Sequence, residues 1–100
     1  MPKSYEFEWD ESKAAANLHK HGISFELART IFNDPNILTV ADMEHSDDED
    51  RWFSVGITNS SQIVAVAHLW TELEDGATQI RIISARKATK AEISYYQDNK

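Results

Sequence analysis

Residues 62–73 read QIVAVAHLWTEL, and the predicted fold is built around this segment. From Val64 to Leu69 the side chains are apolar at nearly every position, so both faces of an extended chain would need to be buried. A short apolar run of this kind, bounded by polar turn residues, is typical of a strand in the middle of a sheet. The sequence therefore predicts a central strand here, with neighbouring strands on both sides.

The segments around this strand alternate apolar and polar residues with a period of two, which predicts further strands. The four predicted strands after Pro35 are Ile37–Ala41, Arg51–Thr58, Gln62–Leu73 and Thr78–Lys87. Polar residues at 59–61 and 74–76 have the length and composition of hairpin turns. Strands joined by such turns pair in antiparallel fashion, so an antiparallel sheet is expected.

The chain before residue 36 has a different period. Aromatic residues at positions 5, 7 and 9 alternate with acids and predict a half-buried first strand. Asp10 can cap a helix over Lys13–His21, which Gly22 can end in the left-handed conformation. Ser24 can cap a second helix, which the Asn-Asp-Pro segment at 33–35 ends.

A last helix is predicted at the C-terminal end. Thr89 and Glu92 have the spacing of a capping box, and the helix continues through Tyr95 and Tyr96. The predicted order is therefore β-α-α-β-β-β-β-α. Helices that are separated in sequence from a run of antiparallel strands define the α+β class, here with helices packed on one sheet.

Length and composition limit the kinds of protein that this chain can be. One hundred residues, of which 41% are hydrophobic, are enough for one folded domain, so residues 1–100 are predicted to form a single domain. There is no cysteine, which excludes disulfides and thiol chemistry. No apolar run approaches the length of a membrane span or of a signal peptide, so a cytoplasmic protein is expected, with no membrane partner.

The net charge of −7 is unevenly distributed along the chain. Residues 42–50 carry six acids and no base, whereas residues 81–92, RIISARKATKAE, hold four of the ten basic residues. An acidic protein as a whole repels nucleic acid at long range. The basic segment either serves the structure through ion pairs or forms an anion site, and composition alone leaves both readings open.

Strand alternation bears on this choice. If the strand is regular, Ile80, Ile82, Ser84 and Arg86 share one face, and Arg81 lies on the opposite face together with Ile83 and Ala85. Arg81 and Arg86 then point in different directions, unless the strand twists or bulges between them. Two arginines within an apolar strand need partners for their guanidinium groups.

Several segments together resemble the BrnT family of ribonuclease toxins from type II toxin–antitoxin pairs. The resemblance covers almost the whole chain and rests on KHGISF at 20–25, FNDP at 32–35, EDRW at 49–52 and RIISARKA at 81–88, with Asp10, Lys13, Asn17, Glu92 and Tyr96. It implies a RelE-like α+β fold and RNA cleavage that inhibits translation and needs no metal or other cofactor. It also implies a cognate BrnA-like antitoxin, a small DNA-binding protein through which contact with operator DNA is only indirect.

Cleavage of RNA without a metal needs proton transfer and stabilisation of the extra negative charge on phosphorus. Arginine suits the second task because its planar, always charged fork can bind two phosphate oxygens. The predicted catalytic residues are Arg51, Arg81 and Arg86 for charge stabilisation and Lys20 and His21 for proton transfer. Trp52, Lys87 and Lys90 are predicted to contact RNA, the tryptophan by stacking on a base.

Alternative readings remain for several of these residues and for the whole protein. His21 has a purely structural alternative, because a histidine at a helix C-terminus interacts favourably with the helix dipole. Trp52 has one as well, since an aromatic residue at the start of a strand is commonly part of the core.

For the whole protein, one alternative is a metal nuclease, since donor residues occur in two parts of the chain, namely His19, His21, His45, Asp47, Asp48 and Glu49. His19 and His21 point in different directions on a helix, which counts against it. The second alternative is a catalytically weak or inactive interaction domain that binds a DNA-binding antitoxin and acts in autoregulation.

Overall fold

The computed structural model describes residues 4–42 and 51–99. The strands are Tyr5–Glu8 (β1), Leu38–Ala41 (β2), Arg51–Ile57 (β3), Ile63–Glu72 (β4) and Thr78–Lys87 (β5). The helices are Glu11–His21 (α1), Phe25–Ala28 (α2) and Lys90–Asp98 (α3), with a 3-10 helix over Arg29–Asn33. The predicted α+β class and the predicted order of elements are confirmed.

The strands form one five-stranded sheet in the order β1-β5-β4-β3-β2. β4 lies at its centre, as its apolar sequence predicts, with Val64 and Val66 fully buried. β2 to β5 form an antiparallel meander, whereas β1 pairs with β5 in parallel, Tyr5 opposite Thr78. The sheet is therefore mixed at one edge, a pairing that alternation within β1 alone could not specify.

A bulge in β5 changes which residues share a face. Ala67 pairs with Ser84 and His68 pairs with Ile82, which leaves Ile83 as an extra residue in the ladder. Such an extra residue reverses the alternation beyond it. Arg86, opposite Ala65, therefore lies on the same face as Arg81, opposite Leu69. The two arginines were predicted to lie on opposite faces only if the strand is regular, and this bulge is the exception that places them on one face.

One face of the sheet carries the main core. Its buried residues come from the chain between α1 and β2 and from the two longest strands, namely Ile23, Phe25, Ala28, Ile31, Phe32, Val64, Val66, Ile80, Ile82 and Ala85. We call this the helix face. β1 ends before it can pair with Ala85, and Asn17 of α1 takes its place there. The Asn17 side chain donates to the Ala85 carbonyl at 2.8 Å and accepts from the Ala85 N–H at 3.1 Å.

The segment predicted as one helix after Ser24 forms a single α-helical turn followed by the 3-10 helix. The Thr30 hydroxyl donates to the Leu27 carbonyl at 2.7 Å, a bond that competes with regular helix geometry. The tighter winding is accompanied by a close approach of Ile31 to β3. A Cβ atom at Gly56 would lie only 3.0 Å from the Ile31 Cβ, so this position needs glycine.

The opposite face carries a smaller core made by α3. Val55, Ala65 and Tyr96 are buried there. The predicted capping box is present, since Thr89 and Glu92 each accept a hydrogen bond from the other's backbone N–H. At the end of the sheet, the Tyr96 hydroxyl donates to the buried Asp34 carboxylate at 2.5 Å. Burial and this carboxylate raise the pKa of Tyr96 to about 12, so the tyrosine stays protonated.

Candidate functional site

Two of the predicted arginines flank one leucine in a row across the sheet. Leu69 of β4 pairs with Arg51 of β3 on one side and with Arg81 of β5 on the other. Paired residues point to the same face, so all three lie on the face opposite the helix face. We call this surface, which carries Arg51, Leu69, Arg81 and Arg86, the arginine face. The Cα atoms of Arg51 and Arg81 are about 10 Å apart, twice the spacing between neighbouring strands.

Arg51 has an unsatisfied hydrogen-bond donor. Its Nε atom is buried and has no hydrogen-bond partner among the residues that the structure describes. An unpaired buried donor costs about 1–3 kcal/mol, and such groups are uncommon in folded proteins. Because this atom is buried, an anion would reach Arg51 through its other N–H groups.

Arg81 is only loosely held. Its Nη1 atom donates to Glu8 of β1 at 3.1 Å, and the two side chains are 42% and 43% exposed. An exposed pair of this kind contributes about 0–1 kcal/mol, so the guanidinium can exchange Glu8 for another anion at little cost. Arg51 and Arg81 thus place two cations on either side of an apolar residue.

Arg86 is held far more firmly. Its Nη1 and Nη2 atoms donate to the two carboxylate oxygens of Glu92 at 2.8 and 2.9 Å. The guanidinium carbon also lies 5.2 Å from the centre of the Phe53 ring. Hydrogen bonds from Arg86 lower the pKa of Glu92, and the carboxylate in turn raises the pKa of Arg86. Both groups remain charged over a wide range of pH.

An apolar groove lies beside this ion pair, between α3 and the edge of the sheet. Its volume is about 420 Å³. The lining residues are Leu38, Thr39, Val40, Phe53, Val55, Ala91, Glu92 and Tyr95. Val40 and Tyr95 are 56% and 68% exposed, unusually high values for large apolar side chains. The groove is therefore continuous with the arginine face through Phe53 and Glu92.

The remaining predicted site residues lie elsewhere. Lys20 and His21 occupy the last turn of α1. Within the described part of the chain, the side-chain bonds of Arg81 and Arg86 go to other residues and not to these two. Trp52 pairs with His68 and points to the helix face, away from Arg51. Lys87, the last residue of β5, and Lys90, the first residue of α3, are both exposed. The structure thus places Arg51 and Arg81 in one row and Arg86 on the same face, four residues away along β4. It does not bring the predicted proton-transfer groups into that row.

One buried histidine, His68 of β4, was not predicted from the sequence patterns. His68 has no exposed surface, and its Nε2 atom lies 2.7 Å from the hydroxyl of Ser54, which is in turn 2.8 Å from the Thr39 hydroxyl. Its Nδ1 atom lies 3.3 Å from the Leu69 carbonyl. One tautomer satisfies all these contacts, with Nδ1 donating to the carbonyl and Nε2 accepting from Ser54. Burial lowers the pKa of His68 to about 4.

The residues of the metal hypothesis fall partly outside the described chain. Within residues 4–42 and 51–99, no cluster of three or more His, Asp or Glu side chains could hold a metal ion. His45, Asp47, Asp48 and Glu49 lie outside the described residues, as does most of the acidic run at 42–50. In the same part of the chain, no helix has the length and apolar character needed to cross a membrane.

Comparison with known proteins agrees with the sequence resemblance. A family model described as "Ribonuclease toxin, BrnT, of type II toxin-antitoxin system" matches residues 9–92. The chain is also similar to the crystal structure of the Brucella abortus ribonuclease toxin, BrnT. That match has a TM-score of 0.58 and 22% sequence identity and covers 88% of this chain and 100% of the other, which shows a shared fold. No curated protein sequence matches this chain.

Proposed function

This chain belongs to the BrnT family of ribonuclease toxins from type II toxin–antitoxin systems, and from that premise we propose that it is an endoribonuclease that cleaves RNA without a metal ion. Its effect in the cell is to inhibit translation, and its place of action is the cytoplasm. The observation that carries the proposal is the cross-strand row of Arg51, Leu69 and Arg81.

The proposed reaction is attack of the ribose 2′-hydroxyl on the neighbouring phosphorus. The negative charge on the phosphate oxygens increases in the transition state, and cations fixed beforehand stabilise it best. Arg51 is half-buried, and Arg81 has only one weak ion pair among the described residues. Both guanidinium groups are therefore able to bind phosphate oxygens, with the backbone of the RNA lying over Leu69.

Proton transfer is assigned to Lys20 or His21 on chemical grounds. An imidazole can accept a proton from the 2′-hydroxyl, and an ammonium group can donate one to the leaving 5′-oxygen. Their position on α1 puts them beside β5, because Asn17 of the same helix binds Ala85. The roles of the arginines rest on geometry, and those of Lys20 and His21 rest on residue type.

The direct test is incubation of the purified protein with RNA in the presence of a chelator. We expect cleavage with EDTA at the same rate as with magnesium, because arginine supplies the charge that a metal would otherwise supply. Products should carry 2′,3′-cyclic phosphate ends, as attack by the 2′-hydroxyl requires. A protein that cleaves only after a divalent cation is added would contradict the mechanism. Absence of cleavage under both conditions would favour the second candidate, an interaction domain that acts through its antitoxin.

A second candidate function is favoured by one observation in particular, the Arg86–Glu92 pair. A carboxylate that occupies the end of the guanidinium reduces the charge available for catalysis. In that reading the chain binds a DNA-binding antitoxin and supports autoregulation without cleaving RNA. The overall charge of −7 is consistent with it, since an acidic protein attracts RNA weakly.

Membership of a type II toxin–antitoxin family implies an antitoxin partner. We propose that this partner is a small BrnA-like DNA-binding protein and that it covers the arginine face, so that RNA and antitoxin compete for one surface. In a co-purified complex, Arg81 and Arg86 should be protected from an arginine-modifying reagent. Arg29, which is exposed over Phe7 on the helix face, is the matched control and should still react. Full reactivity of Arg81 and Arg86 in the complex would contradict occlusion.

A further inference from the structure

We infer that Glu92 is a positioning residue, which fixes Arg86 so that one edge of its guanidinium is presented to a phosphate group. The inference rests on the proposed function, because it assigns Arg86 to the same RNA site as Arg51 and Arg81. It makes the Arg86–Glu92 pair a part of the active surface and not an obstacle to it.

The donors of Arg86 are only partly used. A guanidinium has five N–H groups. Two of them donate to Glu92, and a third, on Nη1, donates to the Lys87 carbonyl at 3.3 Å. The Nε hydrogen and the second Nη2 hydrogen have no partner among the described residues. These two hydrogens belong to neighbouring nitrogens, which is the arrangement that binds a phosphate through two parallel bonds.

One backbone contact holds the carboxylate in place, since Glu92 Oε1 accepts from the N–H of residue 89 at 2.8 Å. The other half of the capping box, from the Glu92 N–H to the Thr89 hydroxyl at 3.1 Å, does not touch the carboxylate. The Phe53 ring lies beneath the guanidinium. Arg86 and Glu92 are 36% and 24% exposed, so the pair is partly buried and partly accessible to solvent. The backbone N–H of residue 89 and the Phe53 ring therefore determine where the guanidinium of Arg86 lies, and the Thr89 hydroxyl takes no part in this.

The test is Glu92→Gln compared with Thr89→Ala. Glutamine is also a capping-box residue, but it offers Arg86 one acceptor in place of two and has no charge. Thr89→Ala removes the hydroxyl and so weakens the same helix cap. It keeps both carboxylate oxygens of Glu92 and the backbone N–H of residue 89 that donates to Glu92. We expect Glu92→Gln to lower kcat about tenfold with a smaller change in KM, since a misplaced guanidinium loses contacts in the transition state. Thr89→Ala should lower the melting temperature and leave kcat unchanged.

A double substitution separates positioning from a general structural effect. If Glu92 acts through Arg86, Glu92→Gln should have no further effect on kcat in an Arg86→Ala background. An unchanged tenfold effect in that background would overturn the inference. So would a Glu92→Gln protein that cleaves as fast as the Thr89→Ala protein, or faster than the parent.

A binding measurement decides the inference even if the parent protein does not cleave RNA. The probe is inorganic phosphate, and the signal is the Nε–H resonance of Arg86 in a nitrogen-15 spectrum. We expect phosphate to shift this resonance in the parent and in Thr89→Ala, and not in Glu92→Gln. Equal shifts in all three proteins would show that Glu92 does not position Arg86. Cleavage in chelator tests the proposed function separately.

Discussion

Replacement of Arg81 by alanine is expected to lower the rate of RNA cleavage about a hundred- to thousandfold, the effect of removing a preorganised donor worth about 2.7–4 kcal/mol in the transition state. Arg81 flanks Leu69 opposite Arg51, and its only ion pair among the described residues is the one to Glu8. Arg81→Lys should recover only part of the rate, because an ammonium group keeps the charge but loses the planar fork.

The same substitution should change stability very little. The Arg81–Glu8 pair is nearly half-exposed, so its loss costs about 0–1 kcal/mol. Arg86→Ala should also lower cleavage, but it removes two charge-assisted bonds and the contact with Phe53, so its melting temperature should fall as well. Thermal melts therefore have to accompany every rate, and rates are to be compared per folded molecule.

Arg29→Ala is the matched control for Arg81→Ala. It removes the same charge from an exposed position on the 3-10 helix, next to Phe7 on the helix face. Its rate of cleavage should equal that of the parent if the arginine face is the site. Equal losses in the two variants would mean that the arginines act only through the net charge. A folded Arg81→Ala protein that cleaves like the parent would remove Arg81 from the site.

Acidification from pH 6.5 to pH 4 is expected to lower the free energy of unfolding by about 3 kcal/mol through His68 alone. Burial lowers the pKa of His68 from 6.5 to about 4 in the folded protein. Between these values the unfolded chain binds a proton and the folded chain does not. The stabilisation is therefore fully present above pH 6.5 and is lost as the pH falls towards 4.

Urea unfolding at several pH values checks this result. His68→Gln should flatten the slope between pH 6.5 and pH 4, because its amide can still accept from Ser54 but does not titrate. Asp10 and Glu92 have lowered pKa values and lose their contributions only below their ordinary values of 3.8 and 4.5, so they act at the acid end of this window or beyond it. A parent protein equally stable at pH 6.5 and pH 4 would contradict the assignment.

Local signals predicted most of the fold. The apolar run in β4, the caps at Asp10 and Ser24 and the capping box at Thr89 all lie where the sequence predicts them. These signals act over a few residues, so one sequence is enough to identify them. The parallel partner of β1 depends on contacts between distant segments, which alternation within one strand does not specify.

The site was predicted less completely. The three arginines were identified from residue type and from family resemblance, but their common face depends on the extra residue at Ile83, which has no marker in the sequence. The Arg86–Glu92 bond joins a strand to the following helix across a turn, so the pairing depends on tertiary geometry. The buried, hydrogen-bonded position of His68 was not predicted, because a histidine in an apolar strand gives no indication of the hydroxyl that will face it from β3.

The parallel pairing of β1 with β5 also determines when the protein can fold during its synthesis. Tyr5 leaves the ribosome long before its partner Thr78, because the other three strands and two helices lie between them in the sequence. Closing so long a loop is slow, and until β5 has been made the amphipathic β1 has no strand to pair with. Arg81 and Arg86 belong to that same late segment. The proposed RNA site therefore forms only after β5 has been synthesised, and a chain that stops before β5 lacks the site.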